Sequence, residues 1–359
     1  MTVPAVPADE VDARALAGRL FEASLACAEL MTCYLGLELG LYAELAESPA
    51  TSVEAAERAG AHERYVREWL EQQASAGVLA VDDVRRPPQI RRYALPPGHG
   101  RALLDAADPH YVASMALTPV GTLAGMLPKL VAAFRIGGGI GGEDFAGFHG
   151  AGLNTALYRR KLPRWIAEHL PDVEARLGAG AAIADIACGA GHSTVALARA
   201  YPHATVTGFD IDATALRAAR GQLPPDASGR VSYVEADAAA LEGEPAALVC
   251  VLDSLHDMAR PIEVLRAARR LVADGGCVLL LEPRADERFA APADPVERFV
   301  YACSVLHCLP VAMSDPGAQP TGAVLRPPTL RALAARAGFS AMHVLPAGSR
   351  FHRLYRLNP

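Results

Sequence analysis

The chain of 359 residues is 51% hydrophobic and 21% charged, a balance typical of ordered globular proteins rather than disordered ones. Its length exceeds that of one compact core, so two folded domains are expected. A formal charge of −6 excludes the general positive field that attracts nucleic acid or an anionic membrane surface. A small-molecule substrate, with no nucleic-acid or membrane partner, fits this charge better.

The seven cysteines are odd in number and scattered, and most lie inside apolar runs. This is unlike a secreted disulfide framework or paired zinc knuckles. The N-terminal residues lack a charged segment followed by an apolar one, and no uninterrupted apolar stretch reaches membrane-spanning length. We therefore expect a soluble, unprocessed protein of the reducing cytoplasm, with no metal.

The first predicted element is helical, because residues 11–47 carry apolar side chains at helical spacing. Little charge separates these positions between Ala23 and Gly40. Such a helix must be covered either by its own domain core or by a second copy of the chain. We expect the second arrangement, a homodimer.

Residues 51–95 predict two short helices followed by a wing. Thr51 or Ser52 can cap the first helix, and Gly60 can end it. Val66 and Trp69 contribute to an apolar face on the second helix. Residues 85–92, with two prolines, predict the tip of a hairpin. The pattern as a whole indicates a winged helix.

A winged helix often reads DNA, so a DNA-binding regulator is an alternative function. From Thr51 to Asp105 the sequence has eight basic and eight acidic residues, a net charge of zero. A protein that binds a duplex needs a positive face to displace phosphate counterions. The concentrated basic patch is a group of four arginines in the predicted hairpin: Arg85, Arg86, Arg91 and Arg92. A solvated hairpin explains them better than DNA binding.

Residues 111–180 predict a mostly helical connector interrupted by a glycine-rich run at 135–150. The run lacks a Lys-Ser/Thr ending and a preceding strand, so it predicts a hinge or lid rather than a phosphate loop. After Ala181, short apolar runs alternate with amphipathic helices, which predicts an α/β fold with a parallel sheet wound on both faces. Ligands bind beyond the carboxyl ends of such strands.

These patterns predict three regions of the chain. Residues 1–110 form a helical and winged-helix domain, residues 111–175 form the connector, which covers the substrate pocket, and residues 176–359 form the ligand-binding domain. A lid insertion is expected at about 287–325.

The most informative motif follows the first apolar strand of that region. Gly189 and Gly191 would let the backbone approach a ligand closely, and amides at the following helix start could donate to it. Asp210 ends the second strand, where a carboxylate can accept hydrogen bonds from ribose hydroxyls. Asp237 ends the third strand and could accept from an adenine amino group.

Two other interpretations of the glycine turn remain open. Dinucleotide-binding domains carry a similar turn, but here the third fingerprint position is Thr194. The strand also ends in Asp185, where dinucleotide folds usually stay apolar. A purely structural strand-turn-helix is the second alternative.

The motifs resemble, in order, those of class I S-adenosylmethionine-dependent methyltransferases. The resemblance lies at Ile183–Gly191, Asp210, Asp237, Val249–Asp257 and Gly275–Pro283. It extends to a winged-helix subgroup of small-molecule O-methyltransferases through residues 63–79, 255–276 and 299–318, so it covers most of the chain. One departure is Ala187, where the family often has glycine. Alanine is the smallest replacement and is expected to cost little stability.

The resemblance implies a Rossmann-like, seven-stranded catalytic domain, preceded by a mainly α winged-helix domain that dimerises and helps to form the substrate pocket. It also implies S-adenosylmethionine as cofactor and S-adenosylhomocysteine as product. By resemblance, the cofactor residues are Gly189 and Gly191 at the methionine end, Asp210 at the ribose, Asp237 and Ala238 at the adenine, and Asp253 near the sulfonium, with Asp185 and Ile211 beside them.

The candidate catalytic residues follow the fourth strand and lie in the insertion. His256 is the candidate general base, since histidine titrates near neutral pH and the segment resembles that of the catalytic histidine in plant-type enzymes. Asp257 could orient its ring or cap the next helix. His307 is a second candidate, although packing explains it as well.

The expected reaction is O-methylation of a small, largely apolar, natural-product-type acceptor, with aromatic compounds among the candidates. A sulfonium methyl donor is already activated, so no metal is required. C- or N-methylation would leave His256 idle, and a cofactor-binding fold that catalyses a non-methylating reaction is a further alternative.

Overall fold

The computed structural model describes residues 8–106, 108, 110–114, 118–145 and 154–359. By their internal contacts the residues form two compact units, Met1–Gly121 and Thr122–Pro359. The division falls inside the segment predicted as a connector. Residues 146–150, the end of the glycine-rich run, lie outside the described residues.

The first unit is mainly helical and carries one small hairpin. Its elements are α1 (Ala8–Glu38), α2 (Leu41–Glu47), α3 (Ser52–Ala59), α4 (Glu63–Ser75), β1 (Ala80–Val81), β2 (Tyr93–Ala94) and α5 (Pro97–Leu103).

Helix α1 is long, apolar and largely exposed. Among its exposed apolar side chains are Leu16, Leu20 and Phe21, with exposed fractions of 47% to 67%. Over Asp12–Glu38 the helix is long and apolar enough to cross a membrane by length and composition alone. One such helix near the N-terminus is weak support for a membrane span, and glutamates interrupt it. The structure therefore leaves these side chains uncovered within the described part of their own unit, whereas the C-terminal end of α1 packs against α4, where Trp69 Nε1 donates to the carbonyl oxygen of Thr32 at 2.8 Å.

The core of the first unit lies between α2, α3, α4 and the hairpin. Thr51 caps α3 and forms a capping box with Glu54, while Gly60 ends the helix in a left-handed conformation with φ 61°. Trp69 of α4 packs edge-on against Tyr42 of α2, with ring centroids 5.1 Å apart. The caps and the apolar face predicted for these helices are therefore present.

The four arginines of the hairpin are all engaged by carboxylates of the same unit. The pairs are Arg85–Asp83, Arg86–Asp82, Arg91–Glu71 and Arg92–Glu54, with nitrogen-to-oxygen distances of 2.6 to 3.0 Å. Because each guanidinium already faces an anion, the hairpin offers little unbalanced positive charge to a phosphate backbone.

The second unit consists of helices followed by a seven-stranded sheet with its own helices. Before the sheet lie α6 (Ala124–Ile136), α7 (Thr155–Arg160), α8 (Leu162–His169) and α9 (Pro171–Gly178). The strands are β3 (Ile183–Ile186), β4 (Val206–Asp210), β5 (Val231–Glu235), β6 (Ala246–Leu252), β7 (Val272–Pro283), β8 (Ala341–Leu345) and β9 (His352–Asn358). The remaining helices are α10 (His192–Ala200), α11 (Ala213–Gly221), α12 (Pro261–Arg270), α13 (Pro295–Cys303), α14 (Leu309–Ala312) and α15 (Pro327–Ala337).

The strand order of the sheet is β5-β4-β3-β6-β7-β9-β8. Strands β3 to β7 pair in parallel, whereas β9 is antiparallel to both of its neighbours. The prediction of a parallel sheet is therefore wrong for the last strand. The connection from β8 to β9 is too short for a crossover helix, so the two strands form a hairpin. Buried side chains cover both faces of the sheet.

The predicted lid insertion lies between β7 and α15. It contains α13, a π-helical turn at Ser304–Cys308, and α14. Arg326 closes its base: its guanidinium pairs with Glu297 at 2.5 Å and donates to the carbonyl oxygens of Asp286 and Arg288. Glu297 also accepts from the backbone amide of Asp286 at 3.0 Å. One buried ion pair thus joins the start, the first helix and the end of the insertion.

Replacing Arg326 with alanine should destabilise the protein, because it leaves the carboxylate of Glu297 buried without its partner. We expect a loss of about 3 kcal/mol in the free energy of unfolding. A matched control is Arg164→Ala, which breaks an exposed pair with Glu168 and should cost less than about 1 kcal/mol. Chemical denaturation of the full chain measures both, and equal losses would contradict this account of the insertion.

Candidate active site

The glycine turn joins β3 to α10 through a left-handed backbone. Ala187, Gly189 and Gly191 have φ values of 55°, 54° and 78°. A left-handed conformation costs a residue with a Cβ atom about 1–2 kcal/mol. Alanine at position 187 therefore destabilises the fold more than was expected from its size. This backbone strain lies at the end of a buried strand.

The two glycines have different steric environments. At Gly191 a Cβ atom would lie 2.4 Å from Tyr233 Oη, so close packing with that ring requires glycine. At Gly189 a Cβ atom would meet nothing within 4 Å. The open side of Gly189 leaves room for a ligand to approach the backbone.

Asp185 binds the start of the helix that follows the glycine turn. It is buried and accepts hydrogen bonds from Ser193 Oγ at 2.7 Å and Thr194 Oγ1 at 2.6 Å, both in the first turn of α10. Burial raises the pKa of Asp185 to about 6, although the two hydroxyl groups lower it. Its second oxygen, Oδ1, is buried without a hydrogen-bond partner among the described residues. Such an atom fits a ligand with N–H donors better than an apolar one.

Asp210 lies at the end of β4, next to the glycine turn. Its Oδ2 accepts from the amide of Gly189 at 2.7 Å, and its Oδ1 accepts from the amide of Asp212 at 2.8 Å. A carboxylate accepts hydrogen bonds through both oxygens, and these two bonds orient it at the end of the strand. The neighbouring Ile211 is 70% exposed. The end of β4 thus presents an acceptor group beside an apolar surface.

Asp237 follows β5 and is already engaged within the protein. Its Oδ1 accepts from the amide of Ala239 and its Oδ2 pairs with Arg260 at 2.7 Å. Ala238 is half-buried in the short helical turn that Asp237 caps. Arg260 also lies 3.6 Å from Asp315 of the insertion, so the third strand end is joined to the insertion by charge pairs.

Asp253 follows β6 in a left-handed conformation, with φ 56°. Its Oδ2 accepts from Asn154 Nδ2 at 2.5 Å, and its Oδ1 lies 3.9 Å from His352 Nε2. Burial opposes ionisation, but His352, His256 and Asn154 outweigh it and lower the pKa of Asp253 to about 2. The carboxylate is thus held ionised at the carboxyl edge of the sheet.

His256 is buried, with an exposed fraction of 4%, in the turn after β6. Its Nδ1 lies 2.7 Å from Glu282 Oε2, and its Nε2 lies 3.4 Å from Asp257 Oδ1. Burial by itself lowers the pKa of His256, but Asp257 and Glu282 together raise it well above 6.5. Glu282 thus holds the ring at Nδ1, and Nε2 faces Asp257.

Glu282 was missed as the partner that orients His256. From the sequence, Asp257 was the residue expected either to orient the ring or to cap the next helix. In the structure Glu282 is fully buried and also accepts from the amide of Leu255 at 3.1 Å. A glutamate at the end of an apolar strand is the signal that could have indicated this role, because such a side chain needs a buried partner.

His307 lies in the π-helical turn and packs edge-on against Phe145, with ring centroids 4.7 Å apart. It is fully buried. Phe145 belongs to an apolar cluster formed by α6 and the insertion, so the geometry of His307 supports packing. The next residue, Cys308, is the one that approaches His256, since their potential ligand atoms lie within 4.8 Å of each other.

Comparisons with known protein families agree with this architecture. Residues 183–276 match the model of a family described as "Methyltransferase domain". Residues 26–104 match a family described as "Rv2258c-like winged HTH domain". With the observed sheet, these matches confirm the expected architecture, a methyltransferase domain preceded by a winged-helix region.

Individual relatives and solved structures give a similar result. A ubiquinone/menaquinone biosynthesis C-methyltransferase of Syntrophotalea carbinolica is 30% identical over 139 residues, 38% of this chain and 56% of that protein. The chain thus spans about half the length of this curated relative. The structure of a mitomycin 7-O-methyltransferase superposes with a TM-score of 0.67 at 21% identity and covers 97% of this chain and 99% of its own.

A structure of human N-acetylserotonin methyltransferase in complex with S-adenosylmethionine has a TM-score of 0.66 at 19% identity. It covers all of this chain and 99% of its own. At such identities the likeness establishes the fold.

The burial of Asp185 predicts that the free energy of unfolding decreases as pH rises. Its folded pKa of about 6 lies above the ordinary value of 3.8, so stability is lost as pH rises through this interval, by up to about 3 kcal/mol. Asp185→Asn should remove this dependence. The measurement is the unfolding free energy of variant and parent at about pH 4 and about pH 7. The exposed Asp226→Asn is the control, and an unchanged pH dependence in Asp185→Asn would disprove the assignment.

Proposed function

We propose that this chain is a class I S-adenosylmethionine-dependent methyltransferase with an N-terminal winged-helix domain and that it transfers a methyl group to a hydroxyl of a small, largely apolar, natural-product-type acceptor. S-adenosylmethionine is the cofactor and S-adenosylhomocysteine the product. The observation that carries the proposal is the buried contact of His256 with Glu282, 2.7 Å long, at the carboxyl edge of the sheet.

The residues at the strand ends suit this cofactor. The open side of Gly189 accommodates a ligand against the backbone, and the carboxylate of Asp210 can accept from ribose hydroxyls. The exposed side chain of Ile211 offers an apolar surface to the adenine ring. At the other end, the unpartnered Oδ1 of Asp185 and the ionised Asp253 favour the ammonium group of a methionine moiety.

The bound cofactor supplies an activated methyl group, so the protein needs to align the acceptor and to take its proton. Glu282 at Nδ1 fixes the orientation of the His256 ring and directs Nε2 toward the proton of the acceptor. Asp257 and Glu282 favour the protonated ring, so His256 accepts the proton only from its neutral form and is stabilised once it has done so. The pair thereby stabilises the charge that develops during transfer.

The surroundings of His256 favour a neutral acceptor. Helix α14, with the sequence Leu-Pro-Val-Ala, packs against the turn Leu255–Asp257. The formal net charge of the chain is −6, so the protein as a whole does not attract an anionic acceptor. An apolar wall beside a histidine fits a phenol or another neutral hydroxyl compound.

Carbon methylation is the second candidate, and the match to a C-methyltransferase of Syntrophotalea carbinolica favours it. It would use the same cofactor residues and leave His256 without a role in proton transfer. A DNA-binding regulator is disfavoured by the pairing of all four hairpin arginines with carboxylates. A non-methylating reaction differs from oxygen and carbon methylation in that no methyl label reaches the product.

The exposed apolar side chains of α1 support a homodimer in which a second copy covers this helix. All seven cysteines are free, which supports a reducing compartment such as the cytoplasm.

Replacing Asp210 with alanine should weaken S-adenosylmethionine binding by about 100-fold or more, because it removes an ionised acceptor for two hydroxyl groups. Isothermal calorimetry with the full chain measures this affinity. The exposed Asp226→Ala is the control and should bind as the parent does, and thermal unfolding checks that both variants are folded. An unmodified chain without affinity for S-adenosylmethionine or S-adenosylhomocysteine would disprove the proposed function.

Replacing His256 with glutamine should lower turnover by about 10²–10⁴-fold while the cofactor affinity stays within a few fold of the parent. A screen of phenolic acceptors with labelled methyl donor measures transfer directly. His343→Gln is the control, since His343 is exposed on β8. Unchanged turnover in His256→Gln would remove the proton-transfer role, and an unlabelled product would instead indicate a non-methylating reaction.

A further inference from the structure

Three potential metal ligands meet at the turn after β6. His256, Asp257 and Cys308 each offer one ligand atom, and these atoms lie within 4.8 Å of one another. His256 and Cys308 are buried, and Asp257 is half-buried. The cluster joins two distant parts of the chain, because Cys308 ends the π-helical turn of the insertion. Such turns are rare and often lie at functional sites.

The chemistry of these atoms is that of a zinc site. An imidazole nitrogen, a thiolate and a carboxylate oxygen bind Zn²⁺ at about 2.0–2.3 Å, so ligand atoms around a tetrahedral ion lie about 3.3–3.9 Å apart. The distance from His256 Nε2 to Asp257 Oδ1 is already 3.4 Å. Asp257 Oδ1 is buried and forms no hydrogen bond outside this cluster among the described residues. Only Cys308 has to approach for the three atoms to share an ion.

Glu282 adds a second, independent feature. Its carboxylate holds His256 Nδ1 at 2.7 Å and leaves Nε2 directed at the cluster. A carboxylate behind the opposite ring nitrogen is the usual support of a zinc-binding histidine, since it fixes the ring and strengthens the ligand. A thiolate and the Asp257 carboxylate together neutralise one divalent ion, and the Glu282 carboxylate adds one negative charge behind His256.

We propose that His256, Asp257 and Cys308 bind a divalent zinc ion and that this ion inhibits methyl transfer. On binding, the thiol of Cys308 and Nε2 of the protonated His256 ring each give up a proton to solvent. The inhibition rests on the proposed function, because the ion occupies Nε2, the atom that accepts the proton of the acceptor. Three protein ligands leave one coordination position for water or for the acceptor.

Binding is tested on the full chain, freed of metal with a chelator and kept reduced. Calorimetry with Zn²⁺ should give one tight site per chain, and Co²⁺ should give a thiolate-to-cobalt charge-transfer absorption band. Cys308→Ser should abolish the band and weaken zinc binding more than Glu282→Gln, for which we expect about 10–100-fold. The control is Cys27→Ser, because Cys27 is exposed in the other unit; it should keep both signals.

The functional part is tested by titrating Zn²⁺ into the labelled-methyl assay and scaling each variant to its own metal-free rate. The zinc concentration for half-inhibition should rise at least about 10-fold in Cys308→Ser and stay the same in Cys27→Ser. Cys308→Ala serves as a second variant if the serine variant unfolds.

Zinc binding by Cys308→Ser as tight as that of the parent, or a cobalt spectrum without a thiolate band, would overturn the metal site. Binding at Cys308 without loss of transfer would overturn the inhibition. S-adenosylmethionine affinity is measured on the same sample, so a chain that binds zinc but not S-adenosylmethionine would keep the metal site and lose the proposed function.

Discussion

The buried contact between His256 and Glu282 depends on the parallel register of two strands. Leu252 of β6 pairs with Leu281 of β7, so the residues that follow each strand emerge at the same edge of the sheet. Both groups are buried, and an ionisable group in an apolar interior is tolerated only with a partner. The sheet therefore fixes the distance between the candidate base and the carboxylate that orients it.

The same edge collects the other carboxylates of the site. Asp185, Asp210 and Asp253 belong to or follow β3, β4 and β6, and each is held by hydrogen bonds from neighbouring segments. Their environments differ: burial raises the pKa of Asp185, whereas His352 and other neighbours lower that of Asp253. One edge of the sheet thus offers acceptors with different proton affinities to the two ends of a single ligand.

The insertion brings side chains to this edge of the sheet that the strands do not carry. It brings Cys308 to His256 and Asp315 to Arg260, which in turn pairs with Asp237. The ion pair between Arg326 and Glu297 holds the insertion at its base. Any change in this segment would therefore affect both the surroundings of the candidate base and the third strand end.

The sequence by itself determined the order of strands and helices, the winged-helix region and the glycine turn, because periodicity, caps and left-handed positions are local properties. Only the tertiary structure decided that β9 is antiparallel, that Glu282 rather than Asp257 holds His256 Nδ1, and that Cys308 rather than His307 contacts His256. These contacts join residues far apart in the chain, and their geometry depends on strand register and on the path of the insertion, which no local pattern encodes.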